Sequence, residues 1–200
     1  MKNICVILAR GGSKGLPNKN ILDFCGKPLI AHSIIAALET NLFSNVIVSS
    51  DSKEILEISE SFGATASLRP DHLANDTASS INALIHAIEG YEAENICLLQ
   101  PTSPLRNSAD IKAAYEIFIN KSAPSLFSVH KPHASPYFNM VEIEHSQVKI
   151  CKKLPLNITR RQDAPSVYQV NGAIYFWKKD VLINQQKVIM PDSAIYEMPE

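Results

Sequence analysis

Short apolar runs alternate with amphipathic stretches of helical period along most of this 200-residue chain, and that alternation narrows the fold more than any other feature. Apolar runs at 4–9, 45–50 and 95–99, with a weaker one at 64–68, have the length of buried strands. Behind Pro28, the side chains of Leu29, Ile30, Ile34, Ala37 and Leu38 share one helical face. Ile55, Ile58 and Phe62 do the same over 53–62, and Gly63 is a suitable stop. Ile81, Leu84, Ile85 and Ile88 follow an i, i+3, i+4, i+7 pattern behind the candidate N-caps Asp76 and Thr77. A helix over 110–119 would turn Ile111, Ala114, Tyr115 and Phe118 inward. Strands joined by helices of about 10–15 residues form parallel crossovers. The expected fold is therefore α/β, with a mostly parallel sheet covered by helices on both faces.

Ligands of such sheets bind beyond the carboxyl ends of the strands. Four loops there carry the polar groups: 10–20, 49–51, 69–80 and 100–106. In the first, the 4–9 run breaks into Arg10-Gly11-Gly12-Ser13-Lys14-Gly15-Leu16-Pro17-Asn18-Lys19-Asn20, and no acid follows until Asp23. Glycines let backbone N–H groups approach a polyanion, and successive N–H groups form an anion-binding concavity. Arg10, Lys14 and Lys19 would add charge-assisted hydrogen bonds. The loop matches neither G-x-x-x-x-G-K-[ST] nor G-x-G-x-x-G, which argues against an ATPase P-loop and a dinucleotide fingerprint.

Arg69, Arg106, Arg160 and Arg161 are further candidates for a phosphate, which a planar guanidinium fork suits. In Gln100-Pro101-Thr102-Ser103-Pro104-Leu105-Arg106 two prolines stiffen the backbone, and Gln100, Thr102 and Ser103 offer hydrogen bonds to a polyhydroxyl ligand. Ser79 and Ser80 stand at a helix start, where hydroxyls meet an anion or a base edge as readily as they serve the first turn. Asn171-Gly172 reads as a turn on sequence alone. Asp51 suits either a ligand contact or the N-cap of the following helix, and His32 and His86 read as packing or surface residues. There is no G-x-S-x-G and no zinc pattern. Transfer to phosphorus fits that absence, because it can proceed by positioning and charge neutralisation without a protein nucleophile.

A strand at 125–130 gives way to a stretch rich in Pro, His and polar residues before a last strand at 170–177. A connection of that length is a functional insert, placed at about 131–168 and expected to dimerise the protein. A formal charge of −1 points to neither nucleic acid nor a membrane surface as partner. Cys5, Cys25, Cys97 and Cys151 have no paired or metal-like spacing, and the N-terminus lacks a signal-peptide pattern, so a reducing, cytoplasmic location is expected.

The stretch Ile7 to Asn20 resembles the opening motif of the CMP-sialic acid synthetases (N-acylneuraminate cytidylyltransferases). So do Arg69-Pro70 with Asp76-Thr77-Ala78-Ser79-Ser80, Leu99 to Arg106, Arg161-Gln162, and Asn171-Gly172-Ala173-Ile174-Tyr175, all in family order. The resemblance implies a Rossmann-like nucleotidyltransferase, a single domain over 1–200 with the dimerisation insert. It implies CTP and a nine-carbon 2-keto sugar acid as substrates, attack of the anomeric hydroxyl on the α-phosphate, Mg²⁺ as cofactor, and a homodimer. Carried over by motif, Arg10 and Lys19 would be catalytic, and Arg10, Gly11, Lys14, Lys19, Asn20, Arg69, Ser79 and Ser80 would hold the nucleotide. Gln100, Thr102, Ser103, Arg161, Asn171 and Tyr175 would hold the sugar. The family's metal-binding Asp-x-Asp segment would come after Glu200, and no aspartate here matches it. The alternatives are a legionaminate- or pseudaminate-specific relative, or a non-catalytic nucleotide-binding module if that segment is absent.

Overall fold

The computed structural model describes residues 1–12, 15–75, 78–154 and 160–199, apart from the side chain of Arg161. It divides into two compact units. The larger comprises Met1–Ser128 and Gly172–Tyr196, and the smaller comprises Val129–Asn171 with the residues from Glu197 on.

In the larger unit the chain runs β1 (Asn3–Leu8), a small hairpin of β2 (Asp23–Phe24) and β3 (Lys27–Pro28), α1 (Leu29–Glu39), β4 (Asn45–Ser50) and α2 (Lys53–Ser61). β5 (Thr65–Leu68), α3 (Ser80–Ala87), β6 (Asn95–Leu99), α4 (Ser108–Asn120) and β7 (Ser125–His130) follow. The smaller unit carries the hairpin β8 (Val141–Glu144) and β9 (Gln147–Ile150). Then come β10 (Gln169–Lys178), α5 (Lys179–Gln185) and β11 (Ala194–Glu197).

Among the described residues one seven-stranded sheet has the order β11-β7-β10-β6-β1-β4-β5. β6, β1, β4 and β5 are mutually parallel, and β10 joins β6 antiparallel, from Ile174 opposite Leu99 to Lys178 opposite Asn95. Every residue of β6 and the first five of β1 are buried. Successive side chains of a strand point to opposite faces, so both faces of the sheet are covered there. The α/β expectation from the alternating runs is thereby met. Trp177, Phe118 and Phe176 are the largest fully buried side chains, and Phe118 stacks on Phe176 at 5.6 Å between ring centroids.

Several local expectations need correction. Leu38 is 40 % exposed rather than inward, because α1 buries Ile30, Ala31, Ile34 and Ala37 and turns Leu38 off that stripe. Asp76 and Thr77, the expected N-caps, lie outside the described residues. The Oγ of Ser79 accepts from the Ile81 N–H at 3.2 Å and caps α3. α4 starts two residues earlier than expected, because Asn107 and Asp110 form a reciprocal capping box at 3.0 Å each way. Ser52 rather than Asp51 caps α2. His32 holds the β2–β3 hairpin through the Phe24 carbonyl at 2.7 Å.

Candidate active site

A cleft of about 340 Å³ opens in the larger unit, lined chiefly from the loops after β1, β5 and β6 and the start of α3. Arg10, Lys19, Asn20, Arg69, Ser79, Ser80, Gln100 and Thr102 all line it. These residues come from loops far apart in sequence and meet because their parent strands are neighbours in the sheet.

The backbone of the basic loop is held on three sides. The Ala9 N–H donates to the Ser49 carbonyl at 3.0 Å, the Gly11 N–H to Asp51 Oδ1 at 2.9 Å, and Asn20 Nδ2 to the Arg10 carbonyl at 3.0 Å. Asn20 is buried, so its side-chain amide braces the loop as well as lining the cleft. A Cβ on Gly11 would stand 3.1 Å from Ser52 Cβ, so a larger residue there would need Ser52 to give by a few tenths of an ångström. Lys14 lies outside the described residues.

Arg69 is buried at 6 % exposure, with Nε donating to Ser49 Oγ at 3.1 Å and Nη2 to the Ser49 carbonyl at 2.6 Å. Burial pushes its pKa down, Asp51 pulls it up, and Arg10 pushes it down again. The guanidinium stays charged in any case. Asp51 therefore touches the loop backbone and, through space, steadies Arg69.

Gln100 lines the cleft from the loop after β6. A Cβ on Gly172 would lie 3.7 Å from Gln100 Oε1 and 3.8 Å from the Tyr175 hydroxyl, so these three residues converge. Gly172 has φ +76°, a left-handed value that glycine adopts without strain. Tyr175 is buried and stacks on Trp177 at 5.6 Å, and burial raises its pKa and keeps the phenol neutral. Ser103 is half-buried and does not line the cleft. Asn171 lies in the smaller unit, where Nδ2 contacts Met198 Sδ at 3.4 Å. The Arg161 side chain is outside the described residues.

Arg106 overturns the sequence reading. It is 2 % exposed and lies beneath the loop, donating to main-chain carbonyls and a serine instead of facing a phosphate. Asp51 was left undecided by the sequence and proves to be the carboxylate against the basic loop. Its position directly after a strand that ends in two buried serines was the available signal.

The cytidylyltransferase profile matches residues 4–199. The chain belongs to the cytidylyltransferase family. It is 37 % identical to a pseudaminic acid cytidylyltransferase of Campylobacter jejuni, with all of this chain and 88 % of that one covered. It is also 37 % identical to a CMP-N,N'-diacetyllegionaminic acid synthase of the same species, covering 98 % of this chain and 86 % of that one. A solved CMP:2-keto-3-deoxy-manno-octonic acid synthetase in complex with CTP shares the fold, with a TM-score of 0.74 and 23 % identity over 99 % of this chain and 90 % of that one.

A cytidylyltransferase must hold a triphosphate, and the cleft is lined by three cations, Arg10, Lys19 and Arg69, while the Asp51 carboxylate holds the backbone of the basic loop. Magnesium in such sites sits on one or two carboxylates together with substrate phosphates. Among the described residues no three His, Cys, Asp or Glu side chains gather as a metal group. Asp51 gives Oδ1 to the Gly11 N–H. The described residues therefore do not build a metal cage, and no step is derived through one. No helix among them is long and apolar enough to cross a membrane.

Proposed function

We propose that this enzyme transfers CMP from CTP to the anomeric hydroxyl of a nine-carbon 2-keto sugar acid of the sialic type. The observation that carries the reading is one cleft lined both by the cations Arg10, Lys19 and Arg69 and by the Gln100 amide, from loops that follow different strands. In this reading Arg10, Lys14 and Lys19 hold the phosphates, and the Gly11 region supplies backbone donors. Arg69, Ser79 and Ser80 face the nucleoside half, and Gln100, Thr102 and Tyr175 receive the sugar acid, with Ser103, Asn171 and Arg161 as further contacts. The anomeric oxygen bonds to the α-phosphorus, the bond to the departing pyrophosphate oxygen breaks, and the hydroxyl proton passes to solvent. Negative charge then builds on the pyrophosphate, where fixed cations need no reorganisation to stabilise it. CTP enters as its Mg²⁺ complex, with the metal held by phosphate oxygens, and CTP supply places the reaction in the cytoplasm.

The same reading includes a homodimer formed through the smaller unit. Val141, Ile143 and Val148 are 55 %, 75 % and 67 % exposed. Val141 pairs with Ile150 and Ile143 with Val148, so one face of the β8–β9 ribbon is apolar while Glu142, Lys149, Glu144 and Gln147 form the other. A two-stranded ribbon is marginal alone in water. A second copy of the chain would cover that face.

The deciding experiment is pyrophosphate release from CTP and Mg²⁺ with pseudaminic, N,N'-diacetyllegionaminic or N-acetylneuraminic acid, each in turn. Release with one identifies the acid. Absence of release with all three, from folded protein, refutes the proposal.

A further inference from the structure

The most deeply buried cation among the described residues does not line the cleft. Arg106 is 2 % exposed, and none of its nitrogens reaches a carboxylate. Asp110, the carboxylate that acts on it through space, gives Oδ2 to the Asn107 N–H and Oδ1 to the Tyr196 hydroxyl, each at 3.0 Å. An unpaired buried charge carries a large desolvation penalty, so its contacts must compensate for it. Nη1 donates to the Gln100 carbonyl at 3.2 Å and to the Ala173 carbonyl at 3.0 Å, and Nη2 donates to Ser33 Oγ at 2.7 Å.

Those acceptors have a common meaning in the sheet. The antiparallel register of β6 and β10 ends at Leu99 opposite Ile174. Gln100 and Ala173 are the next residues along, and there the carbonyls of both strands accept from one guanidinium nitrogen. Two carbonyl dipoles aimed at one point repel unless a cation stands between them. Immediately beyond, Gln100, Gly172 and Tyr175 converge. The third acceptor, Ser33 on α1, fixes the guanidinium from the side.

We propose that Arg106 is a positioning residue that sets the separation of β6 and β10 where their ladder ends, and so fixes Gln100 against Gly172 and Tyr175 for the sugar acid. The inference rests on the assignment of Gln100 and Tyr175 to the sugar end.

The test uses the full chain, CTP, and whichever of the three sugar acids supports turnover. Arg106→Met, Arg106→Lys, Ser33→Ala, Gln100→Ala and the Arg106→Met/Gln100→Ala double variant are compared. Arg106→Met should raise KM for the sugar acid at least ~tenfold, the scale of losing a buried charge-assisted contact, while KM for CTP stays within about threefold. Arg106→Lys should restore part of the loss. In the Gln100→Ala background Arg106→Met should add less than about threefold, because residues acting through one another are not additive. A lower melting temperature alone would not divide the two KM values in this way. Equal rises in both KM values, an unchanged KM for the sugar acid, or full additivity with Gln100→Ala would each overturn the role of Arg106. If Arg106→Met does not fold, Ser33→Ala decides: a selective rise in sugar-acid KM supports the proposal, and an unchanged KM overturns it. Gln100→Ala with unchanged sugar-acid KM would instead remove the assignment of the sugar end, and the inference with it.

Discussion

The contact between Asp51 and the basic loop makes the sharpest prediction. Oδ1 accepts the Gly11 N–H at 2.9 Å, and Asp51 is only half-buried. A hydrogen bond to a charged group contributes about 1.5–3 kcal/mol, and partial exposure puts this one near the lower end. If the bond holds the loop in its CTP-binding shape, Asp51→Ala loses ~1.5–2 kcal/mol, or ~10–30-fold in kcat/KM for CTP. A second effect opposes it. The carboxylate stands beside a site for a polyanion, and its repulsion is of order 1 kcal/mol at short range in water.

Asp51→Asn separates the two effects. The side-chain oxygen of asparagine can still accept from Gly11, while the charge is gone. The expected result is kcat/KM for CTP within about threefold of the parent for Asp51→Asn, with Asp51→Ala at the ~10–30-fold loss. Removal of the charge should lower KM for CTP at low ionic strength, and that advantage should fade as salt screens it. The assay is initial-rate pyrophosphate release at two salt concentrations. If Asp51→Asn is as damaging as Asp51→Ala, the carboxylate charge itself is required and the loop-bracing account is wrong.

Other expectations follow from single contacts. Arg10→Ala should lose at least ~2 kcal/mol in kcat/KM, the size of one charge-assisted phosphate contact, and near-normal activity would remove Arg10 from the phosphate site. Gly172→Ala forces a side chain into φ +76° and places its Cβ 3.7 Å from Gln100 Oε1, so urea unfolding should show a loss of ~1–2 kcal/mol with weaker sugar-acid binding. The Tyr196 hydroxyl, partly buried and bonded to Asp110, has its pKa raised to about 12. A raised phenol pKa stabilises the fold below the ordinary value near 10, and that contribution disappears as pH climbs through 10 towards 12. The stability gap between the parent and Tyr196→Phe should therefore be level at neutral pH and shrink above pH ~10, whereas a constant gap would contradict the shift. Light scattering at micromolar concentration should find a dimer that Ile143→Lys breaks into monomers; a parent already monomeric would refute the ribbon's role.

What could be read in advance followed local rules. The strands announced themselves as apolar runs, and the basic loop stood out because glycines and cations directly follow the first of them. Arg106 had no such label. In sequence it is another arginine in a polar loop, and only the antiparallel pairing of β10 with β6 brings Ala173, 67 residues away, over its guanidinium. One clue was present: Asn107-x-x-Asp110 is a capping-box pattern, and the residue preceding an N-cap often turns inward. Asn20 shows the same limit. Its motif position suggested ligand contact, and it does line the cleft, but its bond to the Arg10 carbonyl is set by how the chain returns through the short helical turn at Lys19–Ile21. Leu38 failed for the opposite reason, since helical period names a stripe and the packing of α1 decides where the stripe ends.

The strand order suits the proposed division of the cleft between a triphosphate and a sugar acid. From β1 the chain crosses to β4 and on to the edge strand β5, then returns to β6 on the far side of β1. Such a reversal opens a crevice beyond the strand ends, and here it falls at β1. Arg10 follows β1, Asp51 follows β4 and Arg69 follows β5, so the cations and their steadying carboxylate occupy one half of the crevice. Gln100 follows β6, and Tyr175 lies on β10 beside it, so amide and hydroxyl groups without net charge occupy the other half. A phosphorus atom at the boundary would have fixed cations on its leaving-group side and uncharged hydrogen-bonding groups on its nucleophile side. That polarity favours departure of pyrophosphate and leaves the incoming hydroxyl unopposed by a second cation cluster. Arg106 lies beneath the uncharged half, supporting its geometry while its own charge is taken up by two backbone carbonyls and a serine.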